Sequence, residues 1–162
     1  MEHSWIISPV TDSIRPQANE IVRVEWGGPM IVSCGRLLDA SVEPGFVCLE
    51  DGQILGLLLY NIEGEDCEIT ALISYREGAG IGAALVDAAR SAADAAGCRR
   101  LWLITTNDNT PAIRWYQKRG FSLKAVHMNA LDRARELRAG IPLTGRDGIP
   151  LLHEFEFELP LR

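Results

Sequence analysis

The chain has 162 residues, 47% of them hydrophobic, and 16 Lys+Arg against 22 Asp+Glu give a formal net charge of −6. This length and composition fit one domain, residues 1–162, and exclude a disordered chain. The acidic balance argues against nucleic-acid binding, which needs a basic face to displace counterions. No apolar segment reaches the length of about 18 residues that spans a bilayer, so no membrane partner is expected.

The cysteines and histidines give no metal-ligand pattern. Cys34, Cys48, Cys67 and Cys98 stand singly, mostly inside apolar stretches, and the three histidines are scattered. Zinc sites typically pair Cys or His ligands at short spacing, and no such pair occurs in this sequence. We therefore expect structural thiols, no metal, and a reduced, cytoplasmic protein. The start of the chain also lacks the basic residues and apolar run of a signal peptide.

The first part of the chain mixes a strand, a helix and a stretch without a clear period. Trp5–Val10 is predicted as a short strand, and Asp12 as the cap of a helix that ends near Trp26. In the irregular stretch that follows, Met30–Ser33 fits a short strand and Arg36–Ala40 fits a helical turn.

A period of two then predicts three antiparallel strands. Phe46–Glu50 is followed by Asp51-Gly52, which is a strong hairpin signal, and by the apolar stretch Ile54–Asn61. After a second turn, Cys67–Ser74 forms the third strand. Strands joined in this order by short turns form an antiparallel meander.

The period then changes to 3.6, which predicts a long helix from Ile81 that ends at Gly97. Arg100–Thr106 is a buried strand, and Thr110 caps a short helix that ends near Arg119. Strand–helix–strand connections within one sheet are almost always right-handed crossovers between parallel strands. The strands before and after the long helix should therefore be parallel.

The last part of the chain contains one more helix and two more strands. Phe121–Met128 is predicted as a strand, Leu131–Arg138 as a helix and Ala139–Pro150 as a Gly/Pro-rich loop. Glu154–Leu159 alternates strictly, which predicts a half-exposed antiparallel strand with its glutamates outward. The fold class is therefore mixed α/β: an antiparallel meander, a strand–helix–strand unit and a final antiparallel pair.

A glycine-rich segment lies between the third meander strand and the long helix. It reads Arg76-Glu77-Gly78-Ala79-Gly80-Ile81-Gly82-Ala83. Glycines let the backbone approach a ligand closely, and the free N–H groups and dipole of the following helix favour an anion. We interpret the segment as a phosphate- or pyrophosphate-binding loop; the alternative is a turn that only links strand to helix.

The same segment also fits a weak dinucleotide-binding pattern, with Ala83 in the third small position and Asp108 at the end of the next strand. A doubly wound six-stranded sheet does not fit a chain that begins with a helix and a meander. No lysine follows the glycines, which excludes an ordinary P-loop NTPase. A dinucleotide-binding redox domain stays as a second interpretation.

A second motif, Asn107–Phe121, carries a family resemblance. Five of its residues reproduce the N-x-x-A-x-x-x-Y-x-x-x-G-F pattern of the GNAT acetyltransferase superfamily: Asn109, Ala112, Tyr116, Gly120 and Phe121. The glycine-rich segment resembles the acetyl-CoA pyrophosphate loop of that superfamily. The resemblance covers Phe46 to about Met128 well, and it implies a GNAT-like fold with a splayed central sheet flanked by helices.

The resemblance also implies how acetyl-CoA binds. Leu72 and Ile73 would splay away from Arg100–Thr106, so that backbone N–H groups of Leu72–Ser74 face the pantetheine arm and the acetyl carbonyl. The pyrophosphate would lie on the backbone of the loop residues Gly78, Ala79, Gly80, Ile81, Gly82 and Ala83.

One loop position departs from the family pattern. Glu77 stands where the family usually has Arg or Gln, and a carboxylate there would repel a pyrophosphate. Either Glu77 turns outward and Arg76 takes over the contact, or the loop is one residue longer.

The helix of the second motif supplies further cofactor contacts. By resemblance, Asn109 would hold the pantetheine and Ala112 would leave room for it. Ala112 and Tyr116 share a helix face because they are four residues apart. Tyr116 would then protonate the departing CoA thiolate. A tyrosine at the edge of the core is the alternative.

Glu68 is the candidate general base, because it shares a strand face with Thr70 and Leu72. Similar positions in some relatives carry a base that deprotonates the acceptor amine, directly or through water. A solvated or salt-bridged carboxylate is an equal alternative, since many paired carboxylates have no catalytic role.

The acceptor side is predicted from Trp26–Arg36, the strand face of Glu68 and Thr70, and the basic segment after Asn129. Trp26 would form an apolar wall, His127 would line the cleft, and Arg36 or a late arginine would hold an acceptor carboxylate. The late arginines are Arg133, Arg135, Arg138 and Arg146. The alternatives for the basic segment are a dimer contact and a solvated helix. The alternative for Trp26 is that it only packs the first helix onto the core.

These features together predict an acetyl-CoA-dependent N-acetyltransferase that acts by direct attack of a primary amine. The acceptor is a small-molecule or peptide amine, with a small amphoteric amine slightly favoured over a polycation. No metal or covalent enzyme intermediate is expected. A non-catalytic acetyl-CoA-binding regulatory module stays open beside the redox domain.

Overall fold

The computed structural model describes residues 4–161. Its helices are α1 (Arg15–Trp26), α2 (Ile81–Ala95), α3 (Thr110–Lys118) and α4 (Ala130–Leu137). Its strands are β1 (Ile6–Pro9), β2 (Met30–Ser33), β3 (Arg36–Asp39), β4 (Gly45–Glu50), β5 (Gln53–Glu63), β6 (Asp66–Ser74), β7 (Arg100–Thr106), β8 (Ser122–His127) and β9 (Glu154–Pro160). No helix within residues 4–161 is long and apolar enough to cross a membrane.

Seven strands form one mixed sheet in the order β1-β4-β5-β6-β7-β9-β8, while β2 and β3 form a separate hairpin. The predicted meander is confirmed as β4–β5–β6, and β6 and β7 are parallel across the α2 crossover. The final strand β9 inserts between β7 and β8, antiparallel to both. The mixed α/β class predicted from the sequence is therefore confirmed.

The two faces of the sheet carry separate apolar cores. Along β5, Leu57 and Leu59 pack with Ala18 and Val22 of α1, while Leu58 faces the α2 side. This alternation is the period of two that a strand buried on both faces requires.

One glycine of β5 leaves room for side chains of α2. A Cβ at Gly56 would lie 2.8 Å from Cγ2 of Ile81 and 3.0 Å from Cδ1 of Leu85. A larger residue would therefore push α2 outward, and with it the glycine-rich segment at the start of that helix.

Two local predictions in the first part of the chain are wrong. The helical turn predicted at Arg36–Ala40 is instead strand β3, followed by a short 3-10 helix at Ala40–Val42. The hairpin is made by Cys34 and Gly35, both with positive φ, and cysteine there carries no turn signal. Asp12 does not cap α1, whose N-cap is Ile14 without a side-chain bond.

The predicted outward face of β9 is also wrong. Glu154 and Glu156 are 3% and 9% exposed, because the sheet here is covered on both faces. Phe157 on the opposite face is buried as predicted. The glutamate face of β9 turns toward the interior side where the β2–β3 hairpin and α4 pack.

The sheet opens between β6 and β7. Residues Asp66–Ile69 of β6 pair with Arg100–Leu103 of β7. Beyond these residues β7 is paired only with β9, and β6 only with β5, among residues 4–161. A bulge at Thr70, where Tyr60 pairs with Ile69 and Leu59 with Ala71, accompanies the divergence. The predicted splay at Leu72 and Ile73 is therefore present.

Candidate active site

Two cavities meet in the gap between β6 and β7. One is a cleft of about 650 Å³ that runs over the glycine-rich segment toward α3. The other is a cavity of about 330 Å³ on the side of α1 and α4, which we call the inner cavity. Both are lined by Leu72, Ala112 and Tyr116, so these three residues mark the junction.

Most residues predicted to bind the donor lie together in the cleft. They are Leu72, Ile73, Ser74, Arg76, Gly78, Gly80, Ile81, Gly82, Ala83, Ala112 and Tyr116. Two predicted residues lie elsewhere, since Ala79 packs against the core and Asn109 lines the inner cavity. Glu77, which departs from the family pattern, also lines the cleft and is exposed.

The glycine-rich segment presents backbone N–H groups to the cleft. Gly78 and Gly80 have φ values of 72° and 77°, which only glycine adopts without strain. Gly80 is the N-cap of α2 and has no side-chain cap, so the first N–H groups of the helix lack intrahelical partners. Such a helix start favours an anion.

A close contact fixes the distance between α2 and α3 across the cleft. A Cβ at Gly82 would lie 3.0 Å from Cζ2 of Trp115, so the indole edge packs on this glycine. The guanidinium of Arg119 lies 3.6 Å from the centroid of the same indole ring. The sequence motifs did not point to Trp115 and Arg119; their spacing of four at the end of α3 is the signal that could have found them.

The cations at the cleft differ in their partners. Arg76, predicted to replace the family residue at the pyrophosphate, pairs with Glu50 at 2.8 Å. That pair and the bond from Ser4 lower the pKa of Glu50 to about 2. Arg119 donates only to the backbone carbonyl of Trp115 and forms no salt bridge with any residue between 4 and 161. Arg119 is therefore the cation more readily available to a phosphate.

Tyr116 lies at the junction with its ring held on two sides. It is 8% exposed and makes edge contacts with Trp115 and Phe121, at centroid distances of 5.1 and 5.4 Å. Burial raises the pKa of its hydroxyl above the ordinary tyrosine value, so the hydroxyl keeps its proton at neutral pH. Ala112, one turn earlier, leaves the space beside the ring open.

Glu68 lies at the wall of the inner cavity and is 2% exposed. Burial raises the pKa of its carboxyl, while hydrogen bonds from Ser33 and Arg36 oppose the rise. Ser33 Oγ donates to one carboxylate oxygen, and Arg36 Nη2 donates to the other at 2.5 Å. Both oxygens therefore already have protein partners.

The four residues predicted for the acceptor side separate into two pairs. Trp26 and Thr70 line the inner cavity, and Thr70 Oγ1 donates to the buried carboxylate of Glu43. Arg36 instead lines a shallow hollow behind Glu68 and pairs with Glu63 at 3.0 Å. His127 does not line the inner cavity either.

His127 belongs to a small cluster of different side chains. Its Nε2 lies 3.0 Å from Glu156 Oε1 and 3.6 Å from Cys34 Sγ, and the three ligand atoms lie within 4.8 Å of one another. Sequence spacing predicted no such convergence, because the residues come from the β2–β3 turn, β8 and β9. Glu156 is also paired with Arg100 at 2.7 Å, so protein contacts already use much of the hydrogen-bonding capacity of its carboxylate.

The long segment before β9 covers the inner cavity and is fixed by the end of β7. Asn107 Oδ1 accepts from the N–H groups of Leu152 and His153, and its Nδ2 donates to the carbonyl of Pro150. Leu131, Ala134, Arg138, Ile141, Leu151 and Glu154 bring this region to the cavity wall. The sequence pattern did not predict Glu154 in this wall, because simple alternation placed its side chain on the outward face of β9.

Comparisons with known proteins agree with this geometry. A family model described as the acetyltransferase (GNAT) family matches residues 12–121. The chain is also 38% identical over 153 residues to the uncharacterized protein YdhI of Bacillus subtilis (strain 168), covering 94% of this chain and 96% of that protein. The chain belongs to the GNAT family of acetyltransferases.

Solved structures share the fold at low sequence identity. An N-acetyltransferase from Staphylococcus aureus Mu50 superimposes with a TM-score of 0.70 at 18% identity, covering 99% of this chain and 100% of that one. A GNAT acetyltransferase from Elizabethkingia anophelis, solved with acetyl-CoA bound, gives 0.69 at 16% identity, covering 98% and 99%.

Proposed function

We propose that the protein transfers an acetyl group from acetyl-CoA to a primary amine. The observation that carries the proposal is the junction at Leu72, Ala112 and Tyr116, where the cleft and the inner cavity meet in the gap of the sheet. A donor that lies in one cavity and an acceptor that lies in the other would bring their reactive atoms to this point.

The cleft fits acetyl-CoA by its chemistry. The N–H groups at the start of α2 suit a pyrophosphate, and Arg119 offers a cation without an acidic partner between residues 4 and 161. Gly82 supports the fit, because any side chain there would displace Trp115 from the cleft wall. The relative from Elizabethkingia anophelis with acetyl-CoA bound supports the same donor.

The residues at the junction have distinct roles in this proposal. Bound acetyl-CoA supplies the activated acetyl thioester, whose carbonyl carbon the amine attacks. Backbone N–H groups of β6 that have lost β7 as a partner donate to the carbonyl oxygen. As the C–N bond forms and the C–S bond breaks, Tyr116 donates its proton to the departing sulfur.

Only a free amine can attack the thioester. A group in the inner cavity therefore has to remove a proton from the acceptor ammonium. Glu68 fits this role through a water molecule rather than by direct contact, because both its oxygens are bonded to Ser33 and Arg36. Burial favours proton uptake by its carboxylate.

The alternative of a dinucleotide-binding redox domain loses its supporting residue. Asp108, which would hold a ribose hydroxyl, accepts from Thr106 Oγ1 and from the backbone N–H of Arg146. The sheet is also not doubly wound. A non-catalytic acetyl-CoA-binding module remains the second candidate, and turnover separates it from the enzyme.

A panel assay tests the proposal. The purified protein is mixed with acetyl-CoA and with amines, amino acids, aminoglycosides and peptides, and free CoA thiol is measured. We expect thiol release that depends on at least one amine. Tight acetyl-CoA binding by calorimetry with no turnover on any amine would support the regulatory module, and NAD binding without CoA binding would support the redox domain.

A further inference from the structure

One carboxylate at the wall of the inner cavity has a buried oxygen with no hydrogen-bond partner among residues 4–161. Glu154 is 3% exposed and lines this cavity. Its Oε1 is buried without a hydrogen-bond partner among residues 4–161, while the carboxylate also accepts from the backbone N–H of Cys34. Glu68 differs, since both its oxygens are bonded. A buried unsatisfied carboxylate oxygen is costly, and a cationic ligand would remove that cost.

The same cavity contains a guanidinium without an acidic partner. Arg138 follows α4, and its Nη2 lies where it would be 2.8 Å from a Cβ at Gly27, next to Trp26. No side-chain hydrogen bond or salt bridge joins it to any residue from 4 to 161. The neighbouring Arg133 and Arg135 differ, since they pair with Glu136 and Asp132.

We infer that the acceptor is a small molecule carrying both a primary amine and a carboxylate, with its ammonium on Glu154 and its carboxylate on Arg138. This inference rests on the proposed function. The remaining wall is apolar, with Trp26, Ile31, Leu131 and Leu151, and the volume is about 330 Å³. An amino acid with an apolar side chain matches this combination of charges, wall and size.

The proton transfers of the reaction balance. The ammonium held on Glu154 gives one proton to Glu68 through a water molecule, and the nitrogen lone pair then attacks the thioester carbon. The new C–N bond replaces the C–S bond, and the proton that the amide nitrogen loses balances the one that Tyr116 gives to the thiol. One proton is released per turnover.

Arg138 makes a polycationic acceptor unfavourable. A guanidinium beside Trp26 repels a second positive charge, although the protein as a whole is acidic. A peptide amine without a nearby carboxylate would also leave Arg138 unpaired.

Matched acceptors test the inference. Leucine, methionine and phenylalanine are compared with their amides and with the amines that lack the carboxyl group, and kcat/KM is measured by CoA release. We expect the free acids to exceed the amides by about ten- to a hundredfold, the size of a charge-assisted bond. R138Q should remove most of this preference and leave the amides nearly unchanged. R133Q, on the exposed face of the same helix, is the matched control.

Glu154→Gln tests the other end of the site. It should lower kcat/KM for acids and amides alike, because both keep the amine, whereas Glu136→Gln should have no effect. Melting temperature and acetyl-CoA affinity show that each variant is folded. Equal activity on acids and amides in the wild type, or an equal loss on both in R138Q, would overturn this inference and leave the proposed function intact.

The proposed function can fail separately. If no amine in the panel is acetylated, that function is wrong, and calorimetric titration of the same acids and amides in the presence of CoA then decides the inference. Binding of the acids that R138Q weakens supports the site, and the absence of such binding overturns it.

Discussion

The guanidinium of Arg36 bonds the buried carboxylate of Glu68 at 2.5 Å, and Arg36 lines a separate hollow and not the inner cavity. Arg36 also lies 5.5 Å from the ring centroid of Trp102 and bonds Glu63. It therefore acts on the cavity through Glu68 and has no direct access to an acceptor.

This pair predicts a pH effect of Arg36→Ala. Arg36 lowers the pKa of Glu68 against the effect of burial, so its removal raises that pKa. If Glu68 must be ionised for turnover, the acidic limb of the pH–rate profile moves to higher pH. Arg23→Ala, which breaks an exposed pair with Glu20, should leave the profile unchanged. An unshifted profile in Arg36→Ala would remove Glu68 from the mechanism.

Gly80→Asp should weaken acetyl-CoA binding by about tenfold or more, because it places a carboxylate at the start of α2. Gly52→Asp is the matched control. The φ of Gly52 is 78° and that of Gly80 is 77°, so both substitutions cause the same backbone strain, and Gly52 lies in the β4–β5 turn away from the cleft. Calorimetry measures both affinities. Equal affinities in the two variants would mean that the pyrophosphate lies elsewhere.

Tyr116→Phe should lower kcat by about 10²- to 10⁴-fold, the usual contribution of a general acid, with little change in acetyl-CoA affinity. The ring contacts with Trp115 and Phe121 are kept, so the fold should be unaffected. Tyr60→Phe, whose ring stacks on Phe46 outside both cavities, controls for loss of a hydroxyl. A wild-type rate in Tyr116→Phe would show that another group protonates the sulfur.

Glu43 predicts a pH-dependent stability. Burial raises its pKa to about 7, although the bond from Thr70 opposes the rise. The folded state then holds a proton that the unfolded state has lost, so the contribution of Glu43 is lost as pH rises from about 4.5 to about 7. The Glu43→Gln variant has no group that titrates at this position, so it keeps its stability as the pH rises. Its free energy of unfolding minus that of the wild type should therefore increase by about 3 kcal/mol between pH 4.5 and pH 7. Urea unfolding at several pH values measures the difference, and a constant difference would contradict the prediction.

Asn107→Ala should loosen the covering segment. Its side chain bonds Pro150, Leu152 and His153, and losing these bonds should cost about 1–3 kcal/mol of unfolding free energy. We expect a higher KM for the acceptor with an unchanged affinity for acetyl-CoA, because the proposed donor cleft is on the other side of the gap. Asn61→Ala removes a single exposed bond to Glu63 and serves as the control. A rise in both the KM for the acceptor and the Kd for acetyl-CoA would mean that the segment supports the whole site.

The sequence by itself determined the local elements from which the proposed donor side is built. Glycines at fixed spacing, the period of two in the meander and the period of 3.6 in the helices are local properties, so they predicted the loop, the strands and the helices from neighbouring residues alone. The role of Tyr116 was implied by the family resemblance of its motif. The divergence of β6 from β7 followed from the family resemblance of the same motifs.

Only the tertiary structure decided which residues line the inner cavity, where we propose that the acceptor binds. Glu154 alternates like an outward residue, and it is buried because a hairpin and α4 from distant parts of the chain cover that face of β9. Arg138 was one of four late arginines, and what distinguishes it is a position beside Gly27 and Trp26, more than a hundred residues earlier in the chain. Such pairings depend on how separate elements pack, and hydrophobic periodicity carries no information about them.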